Sequence, residues 1–138
     1  MSRPRLVLLA LATCLALVLP DAVQASLAPV EPYASYEPAT RCSPAAKPGT
    51  VVLARWTVGR YGGRFGGISR PCGGSRSEHH EGRAFDWSVD VRRSADRARV
   101  LRLLRALFAT DAAGTPDALA RRMGIMYVIW NDRIWSAW

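Results

Sequence analysis

Ser77-Glu78-His79-His80-Glu81-Gly82-Arg83-Ala84-Phe85-Asp86-Trp87 is where a polar turn passes into a strand, and the chain reads outward from it. Residues 84–91 alternate apolar and polar side chains, the period-2 pattern of a half-buried strand. His79 and His80 are the only histidines in the chain. The spacing sets His79 in the turn before the strand and Asp86 inside it, seven residues on. An imidazole and a carboxylate presented from rigid backbone are the donors zinc takes at about 2 Å. Gly82 permits a tight backbone between them, and the small Ala84 leaves room beside Asp86 on the same strand face. Ser77 is placed to hold the turn or to orient the His79 ring.

Downstream, Ser94 reads as a helix N-cap with Asp96 in the first turn, and Val100, Leu101, Leu104, Leu107 and Phe108 fall on one helical face. Arg99, Arg102 and Arg105 read as its solvated side. Residues 116–123 predict a second helix, with Thr115 as cap, Pro116 at its first position and Gly124 ending it. Residues 125–130 and 133–135 read as strands around an Asn131-Asp132 turn. Upstream, residues 51–61 predict a short helix, although their Val and Thr content also suits a strand. Gly62, Gly63, Gly66 and Gly67 read as a loop, and residues 68–72 as a short strand. The expected fold is a small α+β domain, an antiparallel sheet with two or three packed helices. Trp87, Tyr127, Trp130 and Trp135 are expected in the core and in strand pairing rather than in a sugar-binding platform.

The N-terminus predicts export. Arg3 and Arg5 precede an apolar run over residues 6–19, and Val23-Gln24-Ala25 places small residues where a signal peptidase reads. A run of about 14 residues is too short for a ~30 Å hydrocarbon core, so no membrane anchor is expected after cleavage. Residues 1–25 thus read as a signal peptide, 26–48 as a proline-rich leader and 49–138 as one small domain, expected to be monomeric. The net charge of +8 is carried almost wholly by arginine, Lys47 being the only lysine. These arginines are scattered and lack an aromatic-interleaved basic motif, which argues against a nucleic-acid partner. Cys14 leaves with the signal. Cys42 and Cys72 remain as an even pair in an oxidising compartment, where a disulfide closing about 30 residues contributes about 3–4 kcal/mol.

Ser77, His79, Gly82, Ala84 and Asp86 match the S-x-H-x-x-G-x-A-x-D motif, and through it the chain resembles the Hedgehog/D-Ala-D-Ala-peptidase superfamily of zinc peptidases. The runs SEHHEGRAFDW and YVIWNDRIWS, with the paired cysteines, resemble a branch of secreted domains from high-GC Gram-positive bacteria. The resemblance implies that His79 and Asp86 are zinc ligands in a domain directed at cell-wall peptide or peptidoglycan. It also implies that Arg70, in Ile68-Ser69-Arg70-Pro71, stands near the substrate. In that branch a later histidine-rich strand supplies the third ligand. No histidine follows His80 here, and neither Glu81 nor Asp132 is placed to replace it. The expectation is therefore a chain truncated before that strand, with an incomplete zinc site and no turnover. A non-catalytic wall-binding module, or a non-functional product, is the alternative.

Overall fold

A proline at the first helical turn and a glycine just beyond the last set the limits of the first helix. In the computed structural model, which describes residues 29–138, α1 spans Pro48–Tyr61 and stops at Gly62, whose φ of 77° suits a residue without a Cβ. Ala54, Thr57 and Tyr61 form its buried stripe, so helical spacing overrides the local β preference of Val and Thr. Residues 1–28, with the predicted signal, lie outside the described residues.

The glycine-rich stretch expected as a loop is instead a strand. β1 (Arg64–Gly67) pairs antiparallel with β2 (Asp86–Ser88), in the register Arg64↔Ser88 and Phe65↔Trp87, with a bulge before Gly67↔Asp86. A Cβ on Gly66 would lie 2.7 Å from the Asp86 carbonyl oxygen, so glycine lets the two backbones close. The strand expected over residues 68–72 does not form. Its groups are spent differently: the Ile68 carbonyl faces the His79 ring, Cys72 is bridged to Cys42, and Pro71 has no N–H to give a ladder. Strand β2 is also shorter than residues 84–91, because the Asp90 carboxylate accepts from the Arg92 N–H and turns the chain.

Helix α2 spans Ser94–Leu107 with Arg93 at the N-cap, so Ser94 is the first helical residue and not the cap. No side chain caps the helix; Asp96 in its first turn instead accepts from the Asp90 N–H at 3.1 Å, before the helix begins. The buried face is Asp96, Val100, Leu103 and Leu107, rotated from the expected stripe, and Leu101 is exposed. Arg99 is not simply solvated: it is half-buried, pairs with Asp96 and lies over Gly62. Helix α3 is only Ala118–Arg122, since Asp117 adopts a left-handed φ of 51° where the sequence suggested helix. Thr115 does not cap it; its N–H and carbonyl close a turn on Asp111.

Strands β3 (Tyr127–Trp130) and β4 (Arg133–Ser136) form the expected hairpin. Asn131 and Asp132 sit at φ 49° and 57°, as the two-residue turn that matches strand twist requires. The strands form two separate antiparallel pairs, β1–β2 and β3–β4, rather than one sheet. Together with three described helices they make the α+β fold expected. Tyr61, Leu103, Leu107 and Ala120 form the buried core, and Trp87, Val128 and Trp135 pack against it. Trp135 also lies 4.6 Å from the Phe108 ring, and Trp87 donates to the Gly62 carbonyl, so these tryptophans serve packing.

Candidate functional site

The turn that carries the site is a single 3₁₀ helix, Glu78–Glu81. Ser77 caps it, its Oγ accepting from the His79 N–H at 3.3 Å, so Ser77 holds the backbone and not the ring. Gly82 closes it in the left-handed conformation, φ 64°, with its N–H on the His79 carbonyl. A Cβ at Gly82 would run into the Ala45 carbonyl oxygen. Glycine here is a requirement of both dihedral and space.

His79 is buried, with 8% of its surface exposed. Its Nδ1 lies 2.7 Å from the Ile68 carbonyl oxygen. A carbonyl only accepts, so Nδ1 carries a proton and Nε2 is the ring nitrogen turned toward Asp86. Nε2 faces Asp86 Oδ1 at 3.3 Å, and Arg70 Nη2 donates to Asp86 Oδ2 at 2.8 Å. The structure thus brings together His79, Asp86 and Arg70, which lie 16 residues apart at most in the sequence. The Ile68 carbonyl completes the set. Sequence reading missed it, because a backbone oxygen has no residue-type signature.

The remaining carboxylates have other partners. Glu81 Oε1 accepts from the N–H groups of Thr40 and Arg41 at 2.8 and 2.9 Å, and Oε2 accepts from Arg83 Nε at 2.7 Å. The Arg41 N–H, then the Arg83 guanidinium and the Thr40 N–H, hold its carboxyl down at about 2. It is a tethered anion and no ready base. Glu78 Oε2 accepts from the Tyr127 hydroxyl at 2.7 Å. Burial and that hydrogen bond push the Tyr127 phenol up to about 12, keeping it a donor that ties β3 to the 3₁₀ turn. Asp132 sits in the β3–β4 turn, beside a cleft lined by Trp87, Asp90 and Trp130. Cys42 and Cys72 are bridged, with Cα atoms 5.8 Å apart.

Two ligand atoms each about 2.0–2.1 Å from a tetrahedral metal stand about 3.3 Å from one another. The Nε2–Oδ1 separation of 3.3 Å is that edge, and the Nδ1–H hydrogen bond is the kind of support metal-bound histidines receive. The same separation suits an Nε2–H paired with the carboxylate as well as two ligands of one cation. His79 and Asp86 therefore fit two positions of a zinc site. Among the described residues no group of three or more His, Cys, Asp and Glu side chains is gathered to hold a metal.

The family model described as VldE, C-terminal domain, matches residues 42–138, which take in the disulfide, Arg70, His79 and Asp86. The chain belongs to the VldE C-terminal domain family. The match to the VldE C-terminal domain starts at Cys42, so Glu37, Thr40 and Arg41 lie before it. No curated protein matches the chain, and no solved structure does.

Proposed function

We propose that the chain is a zinc-peptidase-like domain of the Hedgehog/D-Ala-D-Ala-peptidase type, exported and directed at cell-wall peptide, with His79 and Asp86 as two zinc ligands. The observation that carries this reading is the 3.3 Å gap between His79 Nε2 and Asp86 Oδ1, aligned by the Ile68 carbonyl and Arg70. Bound zinc supplies Lewis acidity and an activated water. His79 orients one lone pair, Asp86 supplies one anionic oxygen, and Arg70 holds the other oxygen in place. Arg70 is the candidate for meeting a substrate carboxylate, which it would do while shared with Asp86. The disulfide suits an oxidising compartment. No described helix is long and apolar enough to cross a membrane.

With two side-chain ligands gathered among the described residues, the expected outcome is zinc uptake without peptide hydrolysis. The test is equilibrium dialysis against zinc, paired with D-alanine release from wall fragments. Zinc uptake that His79→Ala abolishes supports the reading; zinc uptake indifferent to both His79→Ala and Asp86→Ala refutes it. Wall binding without catalysis is favoured by one further feature. Tyr36, Ile129, Ile134 and Trp138 are exposed apolar side chains lining one trough beside Glu78 and Tyr127. Retention on purified peptidoglycan that survives chelation supports that second reading, and loss on chelation counts against it.

A further inference from the structure

Residues 29–47 have no helix or strand, yet the portion from Glu37 onward is bonded along its length. Arg83 Nη2 donates to the Glu37 carbonyl, and the N–H groups of Thr40 and Arg41 donate to Glu81. Ser43 N–H donates to the His80 carbonyl at 2.7 Å and Lys47 N–H to the Gly82 carbonyl at 2.9 Å. Those acceptors lie on the three residues that follow His79. On its other side the same segment is bridged by Cys42 to Cys72, and the Ser69 hydroxyl donates to the Pro44 carbonyl. These contacts flank Arg70, and Ser69 follows Ile68, whose carbonyl accepts from His79 Nδ1. The segment is therefore a wedge with one face on the turn that carries His79 and the other on the loop that carries Ile68 and Arg70.

We infer that residues 37–47 are a wall of the site, and that Glu81 is a positioning residue that sets the His79 imidazole through them. The inference rests on the reading of His79 as a metal ligand only for its consequence, not for its geometry. Glu81 has both oxygens engaged, one on the wedge and one on Arg83, which itself reaches back to Glu37. Removing the carboxylate releases two backbone N–H groups of the wedge and one guanidinium at once. The spacing between the 3₁₀ turn and Ile68 is then held by the disulfide, the Ser43, Lys47 and Ser69 bonds, and the direct bond from the Arg70 N–H to the His79 carbonyl at 3.2 Å. The His79 ring is the group that reports that spacing, because its 2.7 Å bond to Ile68 spans it.

The test is nitrogen-15 NMR of the full chain, reading amide exchange at Thr40 and Arg41 and the tautomer of the His79 ring. In the wild type both amides are protected and the ring is protonated at Nδ1. In Glu81→Ala, exchange at both amides rises by about tenfold or more, and the His79 ring becomes a mixture of tautomers. Glu81→Gln, which keeps the shape and one acceptor, shows a smaller change in both and serves if the alanine variant does not fold. Zinc affinity in Glu81→Ala falls by about tenfold, the size expected for loss of a supporting shell. Freed amides with an unaltered His79 tautomer overturn the inference. A wild type that takes up no zinc overturns the metal reading alone, since the tautomer measurement is made without metal.

Discussion

At the residue scale, some polar groups around the 3₁₀ turn are committed to partners and others are free to act. His79 Nε2 and Asp86 Oδ1 face each other at 3.3 Å, whereas Glu81, their neighbour in sequence, is saturated. The folded-state carboxyl of Glu81 lies at about 2, below its ordinary 4.5. A lowered value means stability present above about 4.5 and lost as pH falls through about 2. Amide protection at Thr40 and Arg41 is therefore expected to hold at neutral pH and to fail on acidification toward pH 2, ahead of the amides of α2. Exchange followed across that range checks it, and Glu81→Gln should remove the pH dependence. The site motif was legible at this scale, since His79, Gly82 and Asp86 owe their spacing to side-chain chemistry and a positive φ. The Ile68 carbonyl and the amides of residues 40 and 41 were not, because backbone donors and acceptors are the same at every position.

At the element scale, Gly82 ends the 3₁₀ turn in a left-handed conformation packed against Ala45. Gly82→Ala is expected to cost more than about 1 kcal/mol, from the left-handed dihedral and the collision together, measured as a shift in urea midpoint. Helix α2 offers a cleaner contrast. Leu107, 2% exposed, should cost about 2–5 kcal/mol when cut to alanine. Leu101, 48% exposed, should cost under about 1 kcal/mol, which a sequence reading of the stripe would not have given. That reading erred because Leu101, Leu103 and Leu104 all suit helical spacing; the tie from Asp96 to the Asp90 N–H selects the face. The β3–β4 hairpin was legible because Asn131-Asp132 encodes its own turn. Strand β1 was not, because its glycines read as loop when their use is to let β2 approach.

At the scale of the whole molecule, the family span from Cys42 to Trp138 and the wedge from Glu37 overlap at the disulfide. Replacing Cys42 and Cys72 by serine opens a closed loop of 30 residues. About 3–4 kcal/mol of stability is expected to go with it, seen as a lower thermal midpoint that added reductant does not lower further. A proline-rich leader reads as a linker because it lacks periodicity. Its tertiary partners lie 25 or more residues away in sequence, as in the Pro44 bond to Ser69 and the Thr40 and Arg41 bonds to Glu81, and local patterning does not register them. The most direct test of the central claim is zinc titration calorimetry on the wild type and on Asp86→Ala. One zinc per chain is expected in the wild type, with affinity lost when Asp86 is removed. Zinc heat that is absent from the wild type, or equal in both proteins, would contradict it.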